Sequence, residues 1–144
     1  MRHLRVYTAS KLHYAPMWRE LRVDADWRFV HFTARWPFMT LCEFHASEAA
    51  PQARHFWMHD EHDVAQSDVV LVYAEPEDHL RGALVEAGMA LGAGKRVLLV
   101  GENEGFGTWQ WHPRVGRVSN LHFARGALAG LQIDICADAS SEQF

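Results

Sequence analysis

A chain of 144 residues has the length of one domain and can bury about two-thirds of its unfolded surface, which argues against a two-domain enzyme. Apolar residues at 49% and charged residues at 22% exclude a disordered chain and a collagen-like or coiled-coil rod. Fourteen Lys and Arg against eighteen Asp and Glu leave a net charge of −4, with arginines spread from Arg2 to Arg125, so duplex nucleic acid is not the expected partner.

The predicted elements begin with Leu4-Arg-Val-Tyr-Thr-Ala, a β-rich run, after which Ser10 is placed to cap a helix carrying Leu12, Met17, Trp18 and Leu21. Trp27-Arg-Phe-Val-His-Phe reads as a second strand, and Thr33–Ala50, aperiodic and containing Pro37, as a loop. A helix is expected from Pro51 to about Gln66. The continuous run Val69–Ala74 then suits a strand buried on both faces. Arg81–Ala93 reads as a helix stopped by Gly94, and Arg96–Val100 as a strand. Gly101–Pro113 is a Gly- and Trp-containing loop whose glycines Gly101, Gly105 and Gly107 suit a lid. A strand near Val115–Val118, a helix around Phe123–Leu131 and a polar tail over Ala137–Phe144 complete the chain.

Alternating strands and helices predict a single-domain α/β three-layer sandwich of the Rossmann or flavodoxin type. Its sheet would hold about five strands, mostly parallel, with helices on both faces. Ligands bind outside the carboxyl ends of the strands in such a sheet, which directs attention to Tyr7–Lys11, Phe32–Trp36, Ala74–Gly82 and Gly101–His112. No G-x-G-x-x-G follows the first strand and no G-K-[ST] occurs, so neither a dinucleotide nor a P-loop site is supported. The longest apolar stretch, Val64–Ala74, is interrupted by Gln66, Ser67 and Asp68, and the N-terminus lacks the apolar run of a signal peptide. Cys42 and Cys136 stand far apart with no C-x-x-C, which suggests neither a disulfide framework nor a thiolate zinc site. A cytosolic protein with reduced thiols, away from membranes, is the expectation.

The most informative segment is Gly82-Ala-Leu-Val-Glu-Ala-Gly-Met-Ala-Leu-Gly-Ala-Gly94, where Glu86 is the only polar side chain. A helix apolar all round is a buried helix. Its glycines, each costing about 1 kcal/mol against alanine, suggest that another backbone or a ligand approaches Gly82, Gly88 or Gly92. A carboxylate in that setting must be paired, protonated or used, whereas a solvent-facing Glu would have other charges around it.

Several of these residues carry a resemblance: Val6-Tyr-Thr-Ala-Ser, Asp60 eight residues before Asp68, Asp68-Val-Val-Leu-Val-Tyr, and the Gly82–Gly94 segment followed by Lys-Arg-Val. Over roughly residues 4–101 the chain resembles the nucleoside 2-deoxyribosyltransferase-like family, including its nucleoside 5'-monophosphate N-glycosidase branch. The resemblance implies cleavage or transfer of the N-glycosidic bond of a (deoxy)nucleoside or nucleotide, with Glu86 as nucleophile and Tyr7 holding its carboxylate. Asp60 falls where the family often has a substrate-binding aspartate; a charged residue on a helix surface, between Glu61 and Asp63, is the competing account. The chain departs from the family at Leu80, where many deoxyribosyltransferases carry an acid six residues before the catalytic glutamate. Arg81 near the helix start is a candidate phosphate contact or a solvated arginine.

Around Glu86 and Tyr7, the residues expected to bind substrate are Asp60, Ser10, Trp36, Asp78, Arg81, Gly82 and Trp109, with no cofactor and no metal. His55, His59 and His62 share one helical stripe, a pattern that can hold zinc but that ten histidines also produce by chance. Trp36, Trp109 and Trp111 lie in predicted loops where a ring can stack on a base, while Trp18, Trp27 and Trp57 read as core or subunit contacts. The resemblance further implies a homodimer or higher homo-oligomer. Two other functions fit the same residues: a non-catalytic nucleotide-binding module, motivated by Leu80, and an NAD-cleaving glycohydrolase.

Overall fold

The computed structural model describes residues 2–36 and 46–141, and the side chains within those ranges except at 46–52 and 139–141. Cys42, the middle of the predicted Thr33–Ala50 loop and the last three residues lie outside the described residues. Strands β1 (Leu4–Ala9), β2 (Val30–Phe32), β3 (Val69–Tyr73), β4 (Arg96–Val100) and β5 (Val115–Val118) form one sheet, ordered β2-β1-β3-β4-β5. Every pairing in it is parallel. Helices α1 (Ala15–Val23), α2 (Ala46–Ala65), α3 (Gly82–Gly92) and α4 (Leu121–Ser141) cover its faces.

The period-two alternation of β3 builds both cores. Val70 and Val72 pack with Tyr7, Val97 and Leu99 against Val64 of α2 and Ala83, Ala87 and Ala90 of α3. Val69 and Leu71 point the other way, joining Val6, Leu98 and Val100 against Trp18 of α1 and Ala124 and Leu128 of α4. The three-layer sandwich is thus present, with an all-parallel sheet where a mostly parallel one was expected. Because β2 lies on one side of β1 and β3 on the other, the chain reverses its direction of travel at the β1/β3 boundary, and a crevice opens at the carboxyl ends of those two strands.

The β1/β3 pair is pinned at its opposite end by Asp68. Its carboxylate accepts from the Arg2 guanidinium at 2.8 and 3.0 Å, from the Arg5 backbone at 2.8 Å and from the Arg5 guanidinium at 3.2 Å. Burial alone would raise this carboxyl, but the hydrogen bonds from Arg2 and Arg5 outweigh it and hold the group at about 2. At the carboxyl end Gly101 has φ +95° and leaves β4 so close to β3 that a Cβ would stand 2.3 Å from the Ala74 carbonyl oxygen. Asn103 then ties the two loops together by donating to the carbonyls of Glu75 and Asp78 at 2.9 and 2.8 Å.

The element boundaries depart from the expectations for local reasons. Ser10 does not cap a helix: its Oγ accepts from Trp18 Nε1 at 2.8 Å, and a 3₁₀ turn over Leu12–Tyr14 precedes α1. Trp27 is buried in a 3₁₀ turn, Ala25–Trp27, started by the Asp24 carboxylate accepting from the Asp26 N–H at 2.8 Å, so β2 is only Val30–Phe32. Helix α2 starts at Ala46 rather than Pro51, within an Ala- and Glu-containing segment of good helix formers. Helix α4 runs on to Ser141, so residues 137–141 are helical and not a polar tail; Leu128, Leu131 and Ile135 extend its core-facing stripe, and Gln132 donates to the Arg2 carbonyl at 2.8 Å. No helix among the described residues is long and apolar enough to cross a membrane.

Gly101→Ala is expected to destabilise the fold by about 2 kcal/mol or more, since it combines a positive φ with a backbone clash. Urea unfolding followed by tryptophan fluorescence measures this. An unchanged midpoint would show that the β3–β4 approach relaxes freely.

Candidate active site

Helix α3 is not buried all round. Ala83, Glu86, Ala87 and Ala90, spaced three and four apart, form its buried face, while Val85, Gly88 and Gly92 face solvent. The close approach expected at the glycines is absent at Gly88 and Gly92, where a Cβ would meet nothing within 4 Å, and at Gly82 a Cβ would only touch the Trp57 ring at 3.5 Å. Glu86 therefore projects toward the sheet and is 7% exposed. Tyr7 reaches it from β1, itself buried, and donates its hydroxyl hydrogen to Oε2 of Glu86.

These two groups belong to a cavity of about 270 Å³ beyond the carboxyl ends of β1 and β2. Its walls come from the turn after β1 (Ser10, Lys11, Leu12), the segment after β2 (Ala34, Arg35, Trp36) and helix α2 (His55, Phe56, His59, Asp60). Of the residues expected at the site, Glu86, Tyr7, Asp60, Ser10 and Trp36 are brought together here. Asp78, Arg81, Gly82 and Trp109 do not line the cavity. Asp78 instead holds its own loop, accepting from the Tyr14 hydroxyl at 2.6 Å and the Glu75 N–H at 2.9 Å. Arg81 is exposed at the start of α3, Gly82 lies beneath Trp57, and Trp109 donates to the Gly105 carbonyl at 3.1 Å while packing on Phe106.

The segment Gly101–Pro113 is no lid over Glu86. Phe106 is buried, Thr108–Trp111 forms a 3₁₀ turn, and Asn103, Phe106 and Gln110 line a separate hollow with Arg117 beyond the ends of β4 and β5. Trp111 is exposed there under the Arg117 guanidinium, 4.0 Å from its ring centroid, so of the three loop tryptophans only Trp36 reaches the cavity.

Each wall is fixed by polar contacts. Trp36 Nε1 donates to Thr8 Oγ1 at 2.8 Å, and the Trp36 carbonyl accepts from Arg19 at 2.6 Å. Thr33 Oγ1 donates to the Asp63 carbonyl at 2.9 Å. Arg35 meets the buried Asp63 carboxylate with two nitrogens, at 2.9 and 3.2 Å, and its NH1 lies 3.4 Å from His59 Nδ1. Arg35 can only donate, so His59 is the acceptor in that contact; burial, then the Arg35 charge and neighbouring His55, lower its proton affinity. His55 and His59 have ring centroids 4.1 Å apart, and among the described residues no group of three His, Cys, Asp or Glu is placed to hold a metal ion.

Both cavity carboxyls hold protons unusually well. Burial pushes Glu86 up to about 8, and burial followed by the Asp63 charge pushes Asp60 to about 6 against the opposing pull of Arg35. The Tyr7 hydroxyl favours the ionised form of Glu86, so the arrangement can present either a neutral acid or a hydrogen-bonded carboxylate near neutral pH. Arg35, Thr8, Lys11 and Phe56 were not singled out in the sequence, and His55 only as part of a histidine stripe. Arg35 and Thr8 sit at strand ends in the stretches flagged as the ligand edge, and Phe56, His59, Asp60 and Asp63 fall on one helical face, which is the signal that locates them.

Fold and site together define a class: a flavodoxin-like α/β domain with a protonatable carboxyl in a cavity at the carboxyl edge of its parallel sheet. No protein-family model matches the chain, and neither does any curated protein.

Glu86 keeps its proton in the folded protein up to about 8, against an ordinary value of 4.5. The folded state therefore binds the extra proton between those limits, and stability must fall as pH rises through that window. Glu86→Gln is expected to remove the slope and to be more stable than wild type at the alkaline end, on the order of a few kcal/mol. Thermal unfolding at a series of pH values measures it, and parallel curves for the two proteins would refute it.

Proposed function

We propose that the protein cleaves or transfers the N-glycosidic bond of a (deoxy)nucleoside or nucleotide, with Glu86 as nucleophile. The observation that carries this reading is the buried Glu86 carboxyl, held by the Tyr7 hydroxyl at the floor of a ligand-sized cavity. The resemblance of the Val6–Ser10 and Gly82–Gly94 segments to the deoxyribosyltransferase-like family supports the choice of bond. In the reaction, an Oε of ionised Glu86 attacks the anomeric carbon through an oxocarbenium-like transition state, and the C–N bond breaks with its electron pair going to the base nitrogen. That nitrogen takes a proton, for which Asp60, on the cavity wall and titrating near 6, is the closest match among the wall groups. Water then resolves the glycosyl ester in a hydrolase, or a second base does so in a transferase. Tyr7 is a positioning residue that orients the carboxylate. The reading places the protein in the cytoplasm as a homodimer or higher homo-oligomer, with a small-molecule substrate and no cofactor.

Leu80 favours a second reading, a nucleotide-binding module without catalysis. The position six residues before Glu86 is occupied by an apolar side chain packed on the core and against Gly105.

Chromatography of free base from a panel of nucleosides, their 5'-monophosphates and NAD separates the readings. Wild type is expected to release base and Glu86→Gln to lose at least a thousandfold in rate, roughly the loss seen on removing a nucleophile. Because attack needs ionised Glu86 and departure of the base needs protonated Asp60, kcat/KM is expected to follow a bell centred between about 6 and about 8 and to fall on either side. Base release undiminished in Glu86→Gln would overturn the assignment. Saturable nucleotide binding with no release would establish the module, and nicotinamide as the sole product would point to NAD cleavage.

A further inference from the structure

The Arg35–Asp63 ion pair shares its largely buried carboxylate and half-exposed arginine with the Asp68 clasp but stands at the cavity. Asp63 is 4% exposed, whereas its partner is a half-exposed arginine on the cavity wall. Asp63 stands three residues after Asp60 on α2, so the two carboxyls share a helical face, and Arg35 approaches that face from the segment after β2. The ion pair thus places one negative and one positive charge beside the same cavity carboxyl, from two different elements. Arg35 is held at two nitrogens by Asp63 and at its flank by His59, which fixes where its charge sits.

We infer that Arg35 and Asp63 are positioning residues that act through Asp60, their opposite charges setting how readily Asp60 gives up its proton. The inference rests on the proposed function only in giving that proton a destination, the leaving base. The charged and titratable groups that share the cavity with Asp60 are Tyr7 from β1, Lys11 from the turn after it, Arg35 from the segment after β2, His55 and His59 from α2 itself, and Glu86 from α3, while Asp63 lies three residues on along α2, paired with Arg35. Asp63 and Arg35 are the charged neighbours that act most strongly on Asp60, Asp63 toward the neutral acid and Arg35 toward the carboxylate.

This role makes a prediction that simple bracing does not. If the pair only braces α2 against the wall, removing either half breaks the same contact and disturbs Asp60 alike. If the charges act on Asp60, the two halves have opposite effects. Asp63→Asn removes the neighbouring anion and releases the Arg35 charge, so Asp60 is expected to titrate lower by about one unit. Arg35→Gln removes the cation, so Asp60 is expected to titrate higher by about as much.

The experiment is a carbon-detected NMR titration of the Asp60 side-chain carboxyl in wild type, Asp63→Asn and Arg35→Gln, with the pH profile of base release recorded on the same samples. Shifts of opposite sign in the two variants support the inference. Shifts of the same sign, or none, in folded variants overturn it. Should Arg35→Gln fail to fold because Asp63 is left buried and unpaired, Asp63→Asn decides alone, and anything but a downward shift is fatal. Opposite NMR shifts with an unmoved activity profile would leave this inference standing and remove Asp60 from the proposed reaction.

Discussion

A strand with no solvent-facing side has to be covered twice, and the rest of this molecule is arranged to do so for β3. Val70 and Val72 require the layer of α2 and α3, and Val69 and Leu71 require that of α1 and α4. Covering both faces of a parallel sheet forces the chain to cross over on one side and return on the other. The reversal falls between β1 and β3, and a crevice there is the geometric by-product. Asp68, clasped by Arg2 and Arg5, closes the opposite end of the same strand pair, so the crevice opens on one edge of the sheet.

At that edge the fold places a carboxyl that would be better solvated anywhere else. Glu86 sits on the buried face of α3 among alanines, and among the described residues its hydrogen-bond partner is a phenolic hydroxyl. Small side chains at positions 83, 87 and 90 bring the helix close to the sheet, and Tyr7 is the one β1 residue on that face long enough to meet the carboxyl. Burial and that hydrogen bond pull in opposite directions, and burial prevails. A group in that balance changes charge near neutrality instead of serving as a permanent anion, which is the property the proposed chemistry draws on.

How much of this was legible in the sequence follows from how local each cause is. β4 appears at its predicted bounds because a continuous apolar run between glycines is a local signal, and β1 and β5 do so on their β-branched and aromatic content. Glu86 was legible because a lone charge in an apolar helix violates the ordinary pattern, and Tyr7 through the resemblance of its segment. The turn at Ala25–Trp27 has a local signal in Asp24, overridden by the β-rich run that starts at Trp27, and α4 outran its prediction because Ile135 is held by tertiary packing. Asp78 and Trp109 stand near strand ends as expected, yet hydrogen bonds from Tyr14 and to Gly105 commit them to holding loops. Arg35 was invisible because its partner Asp63 lies twenty-eight residues away, and nothing in the intervening sequence marks the pairing.

The cavity is assembled from parts with unequal freedom to change. Its floor, Tyr7 and Glu86, is locked into the sheet and the buried face of α3, where substitution disturbs the core as well as the site. Its walls are borne by a short segment after β2 and by the middle of α2, where Arg35, His55 and His59 lie outside both core clusters although Ala34 and Trp36 pack on them. Mutational drift can therefore reshape what the cavity accepts while leaving what happens at its base intact. Descendants of such a chain would diversify in ligand preference first and in reaction last.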